Sequence, residues 1–306
     1  MYSTTYHFAD DTNILNINDN YKTLKKQINR DLISLHEWLL SNKISLNIAK
    51  TELIYFHKIR SKIPCDLKIK MNGKRLYHSK KIKYLGVYLD ESLTGKDHCE
   101  EVVKKLSRAN GILAKARHYM HLTQLKNIYY ATFSSNLFYG SQIWAQSSKT
   151  ILYKISVLQR KAIRTMTFSD FQDHSEPLFK KLNILKAEDN IFLLNCLFVH
   201  DYFNGNLPHS FDNVFRKVNE SYPILTRSAD RGCLAINTSN STMYGLKQIY
   251  RICVDNWNHI TIKLKQIDIN KQILNPNHES LNLHAISRSK LKHTITNFFI
   301  ESYQEQ

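Results

Sequence analysis

The chain has 306 residues, enough for one large domain or two modest ones with a real hydrophobic core. Its apolar fraction of 42% is ordinary, but 43 Lys and Arg against 26 acids leave a formal charge of +17. That balance favours a polyanionic partner, through release of the counterions that phosphates hold.

Eight Gly and five Pro are few for this length and argue for long elements, so a mainly helical protein is expected. The five cysteines, Cys65, Cys99, Cys196, Cys233 and Cys253, lack metal-ligand spacing and read as free thiols in a reducing compartment. Asp10 and Asp11 interrupt the first stretch, so it does not read as a signal peptide. The most apolar run, Ile191 to Val199, is too short to span a bilayer. These features predict an intracellular protein, nuclear or cytoplasmic, with no membrane partner.

In chain order, Tyr6 to Leu15 reads as a hairpin with Asp10-Asp11 at its tip and buried flanking strands. Tyr21, Leu24, Ile28, Leu32, Leu35 and Leu39 recur at three- and four-residue steps, which predicts an amphipathic helix capped by Asn20 or Asp19. Leu53–Phe56 and Leu67–Met71 read as strands, and Asn72-Gly73 is a hairpin turn leading to Leu76. Lys83 to Leu89 reads as one strand with Gly86 inside it.

Helical patterns follow from about Asp97 (Val102, Leu106, Ala109, Leu113, Ala116), then over Thr123–Leu137, Thr150–Met166 and Asp189–Phe203. Gly205 and Pro208 break the chain, and Asn237–Gly245 is polar and turn-like. Further helices are expected around Leu246–Leu264 and Ser289–Tyr303.

The residues that point to chemistry begin at Phe8-Ala9-Asp10-Asp11. Two-metal phosphoryl or nucleotidyl transfer needs carboxylates that hold a pair of Mg²⁺ ions, and a hairpin tip presents them on a stiff support. The same pair is also a common surface turn. From Lys58 to Lys83 ten cations (Lys58, Arg60, Lys62, Lys68, Lys70, Lys74, Arg75, Lys80, Lys81, Lys83) face one acid, Asp66. That segment is either a nucleic-acid surface or a solvated charged loop. Arg160, Lys161 and Arg164 lie among apolar Leu158, Ile163 and Met166, in the form of a helix laid along a duplex or of a plain solvated face. Tyr129, Tyr130 and Trp144 read as core, and the bland reading of Phe8 is likewise a core side chain.

The order of these pieces is more specific than any one of them. After the Asp-Asp hairpin come a helix with Trp38, Asn42-Lys43-Ile44-Ser45-Leu46-Asn47, and Lys50-Thr51-Glu52. A basic hairpin and Tyr84-Leu85-Gly86-Val87-Tyr88-Leu89-Asp90 complete the series. It resembles the second half of the palm of a reverse transcriptase from a non-LTR (LINE-type) retrotransposon. The likeness to jockey- and CR1-like elements continues through Tyr129-Tyr130-Ala131-Thr132-Phe133, Leu158–Arg164, Thr226-Arg227-Ser228, Tyr244-Gly245-Leu246 and Asn256-Trp257-Asn258.

The resemblance implies an RNA-directed DNA polymerase with Mg²⁺ as cofactor and an RNA template, a DNA primer or target, and dNTPs as partners. Asp10 and Asp11 would be the metal ligands of motif C. Lys50, in motif D, would sit near the incoming triphosphate. Tyr84, Leu85 and Gly86 would shape the primer grip, with Phe8 near the primer terminus. Lys74, Arg75, Arg160, Lys161 and Arg164 would run along the template–primer backbone.

The implied fold class is α+β: residues 1–92 the C-terminal half of a palm, 93–170 a helical thumb, and 171–306 a mainly helical C-terminal region. Two departures stand out. Nine residues precede Asp10 and none is acidic, whereas the family's further metal-binding Asp, its fingers and its motif B loop lie upstream; the expectation is a truncated copy, or a gene model begun at an internal Met, inactive alone. Gly95 stands where relatives often have Trp, and its expected effect is a looser palm–thumb junction. The alternative to an enzyme fragment is a non-catalytic nucleic-acid-binding remnant.

Overall fold

The computed structural model describes residues 2–59, 61, 68–146, 149–218, 232–236, 248–274 (side chains to 268) and 283–303. The segments with Thr226-Arg227-Ser228, Tyr244-Gly245-Leu246 and the turn-like stretch 237–245, with Cys65 and Asp66, lie outside them. The described chain is helix-rich with small antiparallel sheets, an α+β composition. It divides into two compact units, Met1–Asp97 and His98–Gln306.

In the N-terminal unit, strands β1 (Thr4–Phe8) and β2 (Asp11–Leu15) pair antiparallel from Thr4↔Leu15 to Phe8↔Asp11. The expected buried flanks are not found, because Tyr6 and Phe8 are 49% and 61% exposed. The ladder is only two strands wide, and Ile14 is the residue that reaches the core.

Helix α1 (Tyr21–Ser41) begins where Asn20 accepts hydrogen bonds from the backbone of Lys22 and Thr23, which satisfies two of the donors a helix start leaves open. Its Leu32 and Leu39 are buried with Ile69, Met71 and Leu76. Asp31, also on α1, is buried and accepts from the backbone N–H groups of Tyr2 and Ser3 and from the Ser3 hydroxyl, which fastens the start of β1 to the helix.

Strands β3 (Ile69–Met71) and β4 (Lys74–Leu76) pair through Asn72-Gly73, both at positive φ (47° and 71°), as a type I′ turn requires. The Asn29 side chain on α1 completes the outer edge of β3 by accepting from Lys70 N–H at 2.9 Å. The strand expected over Leu53–Phe56 is absent. Only an isolated bridge, Leu53↔His78, forms there, because its partner is a single residue beyond β4 and not a neighbouring hairpin arm.

The single strand expected over Lys83–Leu89 is instead a hairpin. Strands β5 (Lys81–Tyr84) and β6 (Val87–Asp90) turn at Leu85 (φ 44°) and Gly86 (φ 82°). Asp90 then organises the following turn by accepting from Thr94 N–H and Oγ1 and from the N–H of Gly95, itself at φ 69°. Within this turn Gly95 is anchored by that bond.

Helix α2 (Lys96–Ala116) carries Val102, Leu106, Ala109 and Leu113 into the core of the C-terminal unit. Next comes a helical run through α3 (Leu122–Ile128), a π turn (Tyr129–Ser134) and α4 (Ser135–Phe138), then α5 (Ser141–Trp144) and α6 (Lys149–Thr167). Helix α7 (Ser175–Leu182), unforeseen from sequence, buries Phe179 and Leu182. Helices α8 (Ala187–Phe203), α9 (Ile249–Leu274) and α10 (Arg288–Ser302) complete the bundle. Tyr129, Phe133, Trp144 and Trp257 are each no more than 1% exposed, so Tyr129 and Trp144 are core as expected, while Tyr130 is 46% exposed.

One polar knot holds three segments of this core together. The buried Gln159 of α6 donates to Tyr129 OH and to the Leu185 carbonyl (both 3.0 Å) and accepts from Ala187 N–H at 2.7 Å. Ala187 opens α8, so the contact also satisfies a helix-start donor. Among the described residues no helix is long and apolar enough to cross a membrane.

Candidate functional site

The Asp-Asp tip is set by strand register. Because Phe8 pairs with Asp11, the loop has only Ala9 and Asp10, and Ala9 alone takes a positive φ, 51°. That is the pattern of a type II′ turn, which favours Gly at this first position. An alanine there carries a steric cost of about 1 kcal/mol. Asp10 and Asp11 are both exposed, and no described residue forms a hydrogen bond or ion pair with either carboxylate.

Two open carboxylates suit a hard divalent cation such as Mg²⁺, which takes one or two carboxylates and fills its remaining positions with water and phosphate oxygens. One ion fits the residues at the tip. A second ion needs further ligands, and no group of three His, Cys, Asp or Glu suited to a metal is found among the described residues.

Lys50 ends a single 3₁₀ turn (Ile48–Lys50) and is exposed. No described hydrogen bond or ion pair joins it to either aspartate. Both segments nevertheless rest on one support: Ile14, on the strand that Asp11 opens, and Ile48, two residues before Lys50, pack against the cluster of Leu32, Leu39, Ile69, Met71 and Leu76.

The β3–β4 and β5–β6 hairpins carry the strongest charge. Lys68, Lys70, Lys74, Arg75, Lys80, Lys81 and Lys83 are all exposed, while Ile69, Met71, Leu76 and Val87 point inward. Two aromatic rings lie among these cations: Tyr77, which the sequence reading passed over, and Tyr88, which it quoted only as part of the motif series. The Arg75 guanidinium sits 5.5 Å from the centre of the Tyr77 ring, and the amines of Lys81 and Lys83 are each 5.9 Å from that of Tyr88. Lys81 also pairs with Asp97 at 2.9 Å. Tyr84 and Leu85 are half-buried and Gly86 is exposed at the turn. Phe8, at the other hairpin, is exposed and not the core residue of the bland alternative.

In the C-terminal unit the three cations of α6 do different things. Arg160 is half-buried over the Tyr153 ring, 5.5 Å from its centre. Arg164 donates to the Asp173 carbonyl at 2.8 Å and so ties down the loop before α7. Lys161 is exposed, and no described residue pairs with it.

A cleft of about 680 Å³ opens beside them, lined by Tyr153, Arg160, Glu176, Lys186, Asp189 and Tyr303 among others. Its charges are mutually engaged: Lys186 pairs with Glu176 and lies over the Tyr303 ring, and Tyr303 OH donates to Asp189 at 2.5 Å. Burial raises the Asp189 carboxyl above its ordinary value, against the lowering effect of the Tyr303 bond. Burial also raises the Tyr303 phenol, and its bond to Asp189 adds to that. Such a self-neutralised cleft reads as packing of α10 on α8, not as chemistry.

Comparison with known proteins gives the same direction as the motif order. The chain is 28% identical over 188 residues to an RNA-directed DNA polymerase from the mobile element jockey of Drosophila funebris, and 25% identical over 188 residues to that of Drosophila melanogaster. A probable RNA-directed DNA polymerase from transposon BS of Drosophila melanogaster is 25% identical over 187 residues. Each match covers 60% of this chain and 20% of the relative's length. No protein-family profile matches the chain, and no solved structure matches it.

Proposed function

We infer that this chain, a relative of the RNA-directed DNA polymerases of jockey-type non-LTR retrotransposons, is part of such a polymerase and carries its metal-binding carboxylate pair. The observation that carries the reading is the Asp10-Asp11 tip: two exposed, unengaged carboxylates, one in a two-residue turn and one on the strand residue that follows it, within the ordered motif series.

In this reading residues 1–92 are the later half of a palm, 93–170 a thumb, and 171–306 a helical C-terminal region. Asp10 and Asp11 hold a divalent cation, Mg²⁺ in the cell. When bound, the ion supplies charge neutralisation and alignment for nucleotidyl transfer to a DNA primer on an RNA template. Lys50 stands ready to steady the dNTP triphosphate or to donate a proton to departing pyrophosphate. Tyr84, Leu85 and Gly86, with Phe8, take the primer. Lys74, Arg75 and Lys161 meet the phosphate backbone, with Arg160 and Arg164 contributing field from their half-buried positions.

A second reading, a nucleic-acid-binding module without catalysis, is favoured by one observation: two carboxylates, and no third suitable ligand among the described residues, gather at the tip. Primer extension on an RNA template with Mg²⁺ separates them. Extension that disappears on Asp10→Ala with Asp11→Ala is the expected result for the enzyme. Extension that survives the double substitution would sink the assignment of the pair. No extension, with duplex binding equal in both forms, would favour the second reading.

A further inference from the structure

Strand β4 and the residue after it carry Arg75 and Tyr77 outward, two positions apart, on either side of the buried Leu76. Directly across the ladder from Arg75 is Lys70, also exposed. Like charges placed opposite each other on a sheet face destabilise the pair. No described acid forms an ion pair with Lys70, Lys74 or Arg75, so this repulsion is not relieved within the chain. An exposed anion is what relieves it.

Tyr77 gives the surface a second property. It is 76% exposed, although folding gains nothing from leaving a ring in water, and Arg75 lies 5.5 Å from its centre. A cation beside a solvent-facing ring is a surface on which a planar base stacks while its phosphate meets the charge. The bases of a duplex are stacked on one another and offer no free face along the helix.

We propose that Tyr77, beside Arg75 and on the same hairpin as Lys70, is a stacking site for an unpaired base, so that this hairpin grips single-stranded nucleic acid in preference to duplex. The proposal rests on the polynucleotide reading above and names the kind of strand and the residue that selects it. Arg75 and Lys70 provide attraction without selectivity; Tyr77 provides the selectivity.

The test is fluorescence anisotropy of the full chain with labelled oligothymidylate of about 15 nucleotides, beside the same strand annealed to oligoadenylate. Tyr77→Ala is expected to weaken binding to the single strand about ten-fold, and Tyr77→Phe to restore most of it. The duplex affinity should change less than about two-fold, because its term is electrostatic. Arg75→Gln should weaken both probes and reduce the salt slope by about one.

Equal affinities of the Tyr77→Ala and parent chains for the single strand would overturn the proposal. So would an equal loss on both probes, which would mark a disturbed hairpin and not a lost stack. Failure of the parent chain to bind either probe at low salt would overturn the polynucleotide reading itself.

Discussion

Replacing Gln159 by Leu is the sharpest probe of what holds the C-terminal unit together. The two side chains have similar volume, so the change removes hydrogen bonds without opening much of a cavity. Three buried groups lose a partner: the Tyr129 hydroxyl, the Leu185 carbonyl and the Ala187 N–H. A buried polar group left unsatisfied costs roughly 1–3 kcal/mol, less what relaxation and entering water recover. The expected loss is about 4 kcal/mol, large beside a typical domain stability of roughly 5–15.

Urea unfolding followed by tryptophan fluorescence in a Trp38→Phe background reads this unit, since the remaining indoles, Trp144 and Trp257, are buried in its core. With a slope of roughly 2 kcal/mol/M the midpoint should fall by about 2 M. Tyr129→Phe, which leaves Gln159 bonded to Leu185 and Ala187, should cost only about 1 kcal/mol. A Gln159→Leu midpoint within about 0.3 M of the parent would show that the knot is not what joins α6 to α8, and the reasoning would fail.

Other outcomes follow from turns and titration. Ala9→Gly removes the cost of a left-handed alanine and should stabilise the first hairpin by about 0.5–1 kcal/mol in thermal melts of the N-terminal unit; destabilisation would refute the strained-turn reading. Leu85→Asn places the preferred Asn-Gly pair in the β5–β6 turn and should raise the same melt by a similar amount, about 0.5–1 kcal/mol. If Leu85 meets the primer, the same change should weaken primer–template binding, so a variant that is both more stable and an equally good binder argues against that role.

His98 and His284 both titrate below the ordinary value of 6.5, first because burial penalises their charged form. For a depressed histidine the unfolded chain binds the proton more readily, so the stability contribution is complete above about 6.5 and declines as pH falls below it. The C-terminal unit should therefore lose stability from about pH 6.5 downward, and His98→Gln should flatten that slope; a pH-independent midpoint between 5 and 7 would contradict it. Asp31 adds a separate acid limit in the N-terminal unit. Burial pushes its carboxyl up, but the bonds from Ser3 and Tyr2 outweigh this and bring it below 3.8. Its contribution is full above that value and lost as pH falls through the lower folded one, which acid titration of Asp31→Asn against parent would reveal.

What sequence made legible was what repeats locally. Helix α1 and its Asn20 cap follow from a three–four spacing with a polar residue before it, and Asn72-Gly73 announces its own turn. The strand expected at Leu53–Phe56 failed because strand character there depends on a distant partner, and only His78 supplies one. Helix α7 escaped because eight residues show barely two turns of periodicity and Pro177 sits near its start, a tolerated place that reads as a break. Gln159 gave no signal: its role depends on Tyr129, Leu185 and Ala187 arriving at one point. Nor does any local pattern say that Arg164 would be occupied by the Asp173 carbonyl while Lys161 stays open. At the candidate site the residue types were legible, and the aromatic partner Tyr77 was not, because exposure of a single tyrosine is a tertiary fact.

The three hairpins of the N-terminal unit make a comparison within one chain. Each turns in two residues, and each needs positive φ in its loop. Asn72-Gly73 meets that need with the residues the backbone prefers. The other two put Ala9 and Leu85 at positions where a side chain carries a steric cost. A cost retained where Gly or Asn would avoid it is a pointer toward function. At the first turn the neighbour is the carboxylate pair, and a glycine beside it would loosen the tip that presents Asp10 and Asp11. At the third turn the side chain itself stands at the candidate primer grip, next to Gly86, where the missing side chain lets another backbone approach. The turn that follows backbone preference supports a charged surface, where the residues beside the turn matter and the turn does not. Among the three hairpins, strain therefore falls on the two turns proposed for the reaction and spares the third, while Lys43 (φ 58°) and Leu93 (φ 50°) carry a similar cost outside the hairpins.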